Sequence, residues 1–191
     1  MKNSIVIFAF LFSVFFNLLI AQNDTIWYDA NWNEADKKVA EFYRAETILK
    51  GGLYLQIDYY LSGRKQMEAY SKDEKEPVYE GKVIWYYENG NISQIANYSK
   101  NVLNGNREIF YENGKIQNKR IYTNGKLDGS WTSFYKDGQI EETGNYEENL
   151  KEGIWETFYT NGKSKEKGKY IFDKKVDIWT TNYYDGVTEN E

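Results

Sequence analysis

The sequence predicts an all-β fold: a single-layer twisted antiparallel sheet of consecutive β-hairpin repeats, with a short N-terminal helix as a cap. Three observations predict it. A unit of 24 residues recurs along the chain, a tyrosine occupies the same place in every copy, and an Asn-Gly or Asp-Gly pair follows that tyrosine. The copies begin at Gly81, Gly105, Gly129, Gly153 and, with Asp in place of Gly, at Asp177.

The second and third observations predict the hairpins. The recurring tyrosines are Tyr87, Tyr111, Tyr135, Tyr159 and Tyr183, and the dipeptides are Asn89-Gly90, Asn113-Gly114, Asp137-Gly138, Asn161-Gly162 and Asp185-Gly186. Such a dipeptide between two apolar runs is the strongest short-range hairpin signal, because a type I′ turn needs positive φ at both central residues. We therefore expect a two-residue type I′ turn at each hairpin tip.

That turn sets the pairing of the two strands in each hairpin. In the first full repeat it places Tyr87 opposite Ile92, Val83 opposite Ala96 and Gly81 opposite Tyr98. In later repeats it places a tryptophan opposite a glycine, as in Trp131 with Gly144 and Trp155 with Gly168. Where the tryptophan is absent, the glycine is absent too, since Arg107 faces Arg120. A bare glycine gives a large ring room to lie across the backbone, so these pairings support the register.

Alternation along the strands assigns the side chains to two faces of the sheet. The first, which we name the Trp face, carries the tryptophan, the tyrosine before the turn, the isoleucine after it and the tyrosine that closes the unit. The opposite face, which we name the Phe face, carries one aromatic residue per repeat among polar neighbours: Tyr86, Phe110, Phe134 and Phe158. This alternation is typical of half-buried antiparallel strands.

Residues 1–21 predict a secretory signal peptide. A lysine at position 2 precedes an apolar run from Ile5 to Ile20, and Ala21 supplies the small residue expected at the cleavage site. A single membrane anchor is the alternative, but the run is short for a span and Asp24 follows it instead of a positive flank. We expect cleavage before Gln22 and export of the rest of the chain as one domain, either periplasmic or extracellular.

Residues 22–53 lack the repeat and are expected to form an N-terminal cap, a strand plus a short helix. A capping pair at Asn31 and Glu34 precedes apolar residues at helical spacing, which predicts a helix over about 33–44. Residues 54–80 resemble a degenerate repeat, with a turn at Ser62-Gly63 and a charged surface loop after it. Regular repeats follow from Gly81, and a partial repeat covers 177–191.

The composition narrows the chemistry that the chain supports. The protein has no His and no Cys, which removes the commonest nucleophile–base pairs, imidazole and thiolate metal sites, and disulfides. Paired carboxylates such as Glu141 and Glu142 are expected to point to opposite faces of a strand, so they would not converge on a glycoside. We expect no enzyme activity, no cofactor and no metal. The net charge of −5 disfavours nucleic acid as a partner.

The repeat resembles a known family. The motif Tyr-x-x-Gly/Asn-x-x-x-Gly-x-Trp, followed by Phe-Tyr-x-Asn/Asp-Gly, is clearest over Tyr122–Trp131 and Tyr146–Trp155, with Asn149 where Gly125 stands. It resembles the MORN-repeat variant and the YwqK-type antitoxin-like repeat proteins, over about residues 54–186. The resemblance implies a stack of hairpins used for binding or scaffolding. A secretory signal fits poorly with a cytoplasmic antitoxin, and fold does not by itself specify function.

Two features of the predicted sheet are candidate binding residues. The first is the aromatic row Tyr86, Phe110, Phe134 and Phe158, which either packs within the sheet or forms a docking stripe with one ring every two strands, roughly 9.5 Å apart. The second is a set of lysines that alternation places on one face of one strand, beside that row: Lys163, Lys165, Lys167 and Lys169. Lysines at such positions either protect a sheet edge or extend a binding surface.

The sequence therefore predicts an exported, non-enzymatic repeat protein that binds a protein partner in the cell envelope. An antitoxin or immunity protein that neutralises a toxin by direct binding is the first alternative. Binding of a glycan or a lipid through an exposed aromatic stripe is the second. A glycan or a membrane surface is the less favoured partner. The acidic chain is poorly suited to an anionic membrane surface.

Overall fold

The described part of the chain forms one open antiparallel sheet. The structure is a computed structural model that describes residues 25–45 and 47–190. All regular elements within these ranges are strands, and none of the described residues forms a helix long and apolar enough to cross a membrane. This architecture confirms the predicted all-β sheet of consecutive hairpins. The predicted signal peptide, residues 1–21, lies outside the described residues.

The strands follow one another across the sheet in chain order, except that β3 shares one edge of β4 with β2. The N-terminal strands are β1 (Ile26–Tyr28), β2 (Phe42–Arg44) and β3 (Ile48–Lys50). The degenerate repeat forms β4 (Leu53–Tyr60) and β5 (Lys65–Ser71). The full repeats form β6 (Tyr79–Tyr86), β7 (Ile92–Ser99), β8 (Val102–Phe110), β9 (Ile116–Thr123), β10 (Lys126–Phe134), β11 (Ile140–Glu147), β12 (Leu150–Phe158) and β13 (Ser164–Ile171). The last unit forms β14 (Lys174–Asn182) and β15 (Thr188–Asn190).

The N-terminal cap contains strands instead of the helix expected over about 33–44. Its centre is a turn at residues 37–39, where Asp36 accepts a hydrogen bond from the backbone amide two residues later at 2.9 Å. Phe42 and Tyr43 then enter β2 and stack on Trp32 and Tyr59. Neighbouring strand residues point to opposite faces, and each of these two rings finds an aromatic partner. Cross-strand ring contacts therefore outweigh the helical spacing of the apolar residues.

Each full hairpin tip is a three-residue loop and not the two-residue type I′ turn that we expected. In the third full repeat the Tyr135 amide donates to the Gln139 carbonyl, and the Gly138 amide donates to the Tyr135 carbonyl. Gly138 has a φ of 94°, whereas Asp137 is not in the positive-φ region. Asp137 instead accepts a hydrogen bond from the Gln139 amide at 3.0 Å. A type I turn followed by a left-handed glycine therefore closes the hairpin.

Type I′ turns occur at the opposite end of the strands, between consecutive hairpins. Both central residues have positive φ at Lys100-Asn101, Asn124-Gly125, Glu148-Asn149 and Phe172-Asp173. In the third of these turns the Asn149 amide donates to the Leu127 carbonyl at 2.8 Å, and Asn149 Oδ1 accepts from the Leu127 amide at 2.7 Å. Because Leu127 lies in the first strand of the preceding hairpin, these turns bind each hairpin to the one before it.

The predicted pairing within each hairpin is confirmed away from the tip. The confirmed pairs include Gly81 with Tyr98, Val83 with Ala96, Trp131 with Gly144, and Trp155 with Gly168. Near the tip a β-bulge leaves one residue unpaired, so that Ile92 lies opposite Tyr86 instead of Tyr87. The longer loop and the bulge compensate each other, which restores the expected register beyond them. The isoleucine after the turn therefore lies on the Phe face, not on the Trp face as expected.

The glycine opposite each tryptophan accommodates the indole of the following hairpin. Between β11 and β12, Thr143 pairs with Glu156 and Asn145 with Glu152, so that residue 144 faces three residues. Trp155 lies across Gly144, where a Cβ atom would come within 2.1 Å of the ring. Trp179 covers Gly168 at the same distance. We expected a ring over each glycine, and a ring lies there. The expectation that it comes from the tryptophan of the same hairpin was wrong.

The Trp face forms the core of the repeat stack. Successive ring centroids lie 5.0 to 6.1 Å apart along a ladder of Trp131, Tyr146, Trp155, Tyr170 and Trp179. Trp155 is only 2% exposed although the sheet has a single layer. The tip tyrosines extend the connection, since the Tyr135 hydroxyl donates to the Phe158 carbonyl at 2.6 Å. Ring packing and these hydroxyl bonds join each hairpin to the next.

Candidate functional site

The Phe face brings together all four residues of the predicted aromatic row. Tyr86, Phe110, Phe134 and Phe158 end β6, β8, β10 and β12, and each pairs with the first residue of the next strand. All four side chains are half-buried. All four of their backbone carbonyls accept hydroxyl bonds from tip tyrosines of the preceding hairpin, at 2.6 to 2.8 Å. The backbone under the row is fixed while part of each ring faces outward.

Isoleucines on the same face are more exposed than the aromatic row. Ile154 is 56% exposed and Ile178 is 72% exposed. Ile140 and Ile171 are also exposed, and we name these four isoleucines together with Phe158 the C-terminal apolar patch. The sequence interpretation missed the isoleucines because it considered only aromatic residues. The available signal was the change at equivalent repeat positions, from Lys82, Asn106 and Ser130 to Ile154 and Ile178.

The four predicted lysines do not share one face of the strand. Lys167 and Lys169 pair with Glu156 and Ile154, which places them on the Phe face. Lys163 lies in the hairpin tip, where its amide donates to Asn161 Oδ1. Lys165 is the bulged residue, and its ammonium lies 5.8 Å from the Tyr159 ring on the Trp face. The bulge interrupts the alternation on which the prediction relied.

The same kind of bulge corrects the expected orientation of Glu141 and Glu142. Glu141 bonds Ser133 Oγ at 3.3 Å and Glu142 bonds the Trp131 indole at 3.1 Å, so both carboxylates lie on the Trp face. They line an open groove of about 460 Å³ between the third and fourth full hairpins, together with Tyr135, Lys165 and Glu166. Glu142 also pairs with Lys151 at 2.9 Å, which leaves the groove polar and internally bonded.

A second cleft of about 460 Å³ lies at the N-terminal end of the sheet. A buried ion pair lines it, in which Arg44 bonds both oxygens of Asp58 at 2.6 and 2.9 Å. Aromatic side chains including Tyr79 and Trp85 line it further, and burial raises the pKa of Tyr79 above its ordinary value. The two bonds pair the charges of Arg44 and Asp58 with each other inside the fold. The ion pair in this cleft therefore connects β2 of the cap to β4.

Electrostatic groups on the Phe face form local pairs. Lys167 bonds Glu156 at 3.0 Å, and Lys119 lies 3.8 Å from Glu108. Among the residues that the structure describes, no group of three or more His, Cys, Asp or Glu side chains is arranged to hold a metal ion. The Phe face thus combines exposed aliphatic side chains with balanced charges, a composition found at protein interfaces.

Comparison with known proteins assigns the repeats to a family. The MORN repeat variant matches residues 79–100, 103–124, 127–148 and 151–171. Each match covers one hairpin, with the tip that joins its two strands. No curated protein matches the chain. Residues 79–171 therefore contain four consecutive repeats of the MORN repeat variant.

Proposed function

We propose that the chain is exported and acts as a protein-binding scaffold in the cell envelope, without enzyme activity. The docking surface is the C-terminal apolar patch of the Phe face. The observation that carries the proposal is the exposure of Ile154 and Ile178, at 56% and 72%, on a sheet with one layer. A monomer gains little stability from side chains this exposed, whereas a partner that covers them gains apolar burial.

The chemistry of the patch favours a protein over a glycan. Sugar rings stack on exposed flat aromatic surfaces, but the most exposed patch residues are branched aliphatic ones and the aromatic row is half-buried. Lys167 and Glu156 form an ion pair within the patch, because Glu156 lies between Ile154 and Phe158 on the same face of β12. Apolar side chains interspersed with bonded polar groups are typical of protein interfaces.

The same chemistry disfavours an anionic membrane as the partner. The protein carries a net charge of −5, which opposes approach to anionic lipid. On the patch, Lys167 is already paired with Glu156. Lys163 and Lys165 lie away from this face, so the basic strip that alternation predicted is reduced to Lys167 and Lys169.

Capture from an envelope fraction tests the proposal. The mature chain is immobilised, and capture is compared with that of the variants Ile178→Ser and Ile154→Ser. We expect each variant to lose most of the captured partner with little change in unfolding free energy, because these side chains are mostly exposed. A captured toxin would support the antitoxin alternative through the same surface.

Phe134→Ser provides the matched comparison within the aromatic row. Its ring is half-buried, so its loss lowers stability as well as any contribution to binding. If Phe134→Ser alone reduces capture, in proportion to lost stability, and both isoleucine variants capture normally, the patch is not the docking surface. A glycan array that binds the wild-type chain and no captured protein would likewise contradict the proposal.

A further inference from the structure

Two arginines on the Trp face oppose each other without a carboxylate partner. Arg107 lies directly opposite Arg120 in the pairing of β8 with β9. Arg107 bonds the neutral Gln94 Oε1 at 2.7 and 3.1 Å, and Arg120 lies 4.5 Å from the Trp131 ring. Neither forms an ion pair with any residue that the structure describes. Like charges directly opposite each other destabilise a sheet, so an anion placed between them would be stabilising.

Later hairpins contain the carboxylate that this site lacks. Lys151 lies 3.8 Å from the Trp155 ring and bonds Glu142 at 2.9 Å, and Lys175 repeats this arrangement in the next hairpin with its own glutamate. The residue 24 positions before Glu142, and therefore equivalent to it, is Asn118. Asn118 is 6% exposed, and its Oδ1 has no hydrogen-bond partner among the described residues. The repeat position that carries a glutamate paired with a lysine in later hairpins therefore carries the neutral Asn118 near the two arginines.

Tyr122 adds a third polar group to the arginine pair. It lies two residues after Arg120, on the same face of β9. Burial alone would raise the pKa of Tyr122, but hydrogen bonds and charges from Arg120 and Arg107 outweigh burial and hold the pKa below its ordinary value of 10.0. The Nε of Arg120 is also buried without a hydrogen-bond partner among the described residues. This part of the Trp face therefore favours negatively charged oxygen.

We propose that Arg107, Arg120 and Tyr122 bind a carboxylate group supplied from outside the fold. Two guanidinium groups offer forked N–H donors that match the two oxygens of a carboxylate, and the phenol offers a further donor. A small free carboxylate and an acidic side chain of a peptide present the same group. The site lies on the face opposite the C-terminal apolar patch, so it is a second binding site and does not depend on the proposed docking surface.

Titration of the mature chain with sodium glutarate tests this assignment, with sodium chloride as the reference at constant ionic strength. NMR should show saturable shifts of the Arg107 and Arg120 side-chain N–H signals. Arg120→Gln should weaken the affinity on the order of tenfold, because a charged hydrogen bond is lost. Lys175→Gln is the matched control: it removes a cation that already has a carboxylate partner, and it should leave the titration unchanged.

Asn118→Glu restores the repeat pattern and separates binding from folding. Glu142 reaches the Trp131 indole, and the residue equivalent to Trp131 in the preceding hairpin is Arg107. The new glutamate should therefore occupy the arginine pair from within and abolish the glutarate response in a folded protein. No saturable response in the wild type, or an unchanged response in Asn118→Glu, would overturn the proposal. Saturation by inorganic phosphate alone would also overturn it.

A glutamate-containing peptide, titrated in parallel, identifies the source of the carboxylate. A response to the peptide that exceeds the response to free glutarate supports an acidic segment of a protein partner. An equal response to both supports recognition of a small carboxylate. Both results support the site, and they differ only in the molecule that presents the group.

Discussion

At the scale of single residues, the contact that joins the hairpins is an indole on a bare glycine. Trp155 lies on Gly144 and donates its ring N–H to the Asn145 carbonyl at 3.1 Å. Trp179 makes the same contact with Gly168, and its ring N–H reaches the Lys169 carbonyl at 3.2 Å. The indole is thereby fixed both by packing and by a hydrogen bond to the preceding hairpin. No smaller ring would cover the same width of backbone.

Gly144→Ala should destabilise the protein by about 1–3 kcal/mol, because the added Cβ would lie 2.1 Å from the Trp155 ring. The measurement is a double-mutant cycle with urea unfolding. In a Trp155→Leu background the added methyl group should cost much less, since the ring that it meets is gone. In a Trp131→Leu background it should cost the full amount. Coupling to Trp131 in place of Trp155 would show that the ring over Gly144 comes from the same hairpin.

At the scale of elements, the repeat, the hairpins and their register follow from the sequence because paired side chains constrain one another. Gly81 with Tyr98 and Val83 with Ala96 were predicted from position alone and are confirmed. The sequence did not predict in this way which residue of the following hairpin lies over each glycine. That contact depends on a shift in strand register opposite Gly144, at Gly153, which has a φ of 73°. The 24-residue period does not reveal this shift.

The errors of the sequence interpretation have two physical causes. An Asp-Gly or Asn-Gly pair suits both a type I′ turn and a type I turn with a left-handed glycine, and Asp137 adopts the second through its side-chain bond. The bulge that accompanies the longer loop then reverses the face of residues near the tip, which displaced Lys165 and Glu141 from their expected face. The predicted N-terminal helix is wrong because Phe42 stacks on Trp32, a tertiary contact that the helical spacing of apolar residues does not reveal.

Asp137→Gly tests the tip conformation. A type I′ turn would tolerate glycine at this position, whereas the observed loop loses the bond to the Gln139 amide and places a flexible residue at negative φ. We expect a loss of about 0.5–1 kcal/mol in unfolding free energy. Asp137→Asn keeps an acceptor oxygen and is the matched control. An unchanged or increased stability of Asp137→Gly would favour the type I′ conformation.

At the scale of the whole molecule, stability is distributed along a one-layer stack whose core is rich in tyrosine. Burial raises the pKa of several phenols on the Trp face above 10.0, among them Tyr79, Tyr98 and Tyr146. A raised folded-state pKa means that the folded state disfavours the phenolate. Its contribution to stability is complete below the unfolded value of 10.0 and is lost as pH rises through the folded value.

The unfolding free energy should therefore fall as pH is raised above about 10. Tyr122 has the opposite effect, since the arginines lower its pKa. More tyrosines have a raised pKa, among them Tyr79, Tyr98 and Tyr146, so their effect dominates. The measurement is the urea midpoint across an alkaline pH series. Tyr79→Phe should reduce the pH dependence, because it removes the phenol whose pKa burial in the cap raises. Constant stability through this range would contradict the stated burial of the tyrosines.

Export is a separate prediction for the whole chain. Cleavage of the leader should give a mature N-terminus at Gln22, and mass spectrometry of exported protein should detect it. An Ala21→Leu variant should accumulate uncleaved precursor, because a large residue replaces the small one at the cleavage site. An intact Met1 on membrane-bound wild-type protein would show that the segment is an anchor.

Site-specific photo-crosslinking in the cell envelope tests the docking surface most directly. A photoreactive residue replaces Ile178, the most exposed residue of the C-terminal apolar patch, or Glu141, which is exposed on the Trp face. If the C-terminal apolar patch is the docking surface, the probe at Ile178 should crosslink to a protein partner and the probe at Glu141 should not. Crosslinks from Glu141 alone, with none from Ile178, would contradict it.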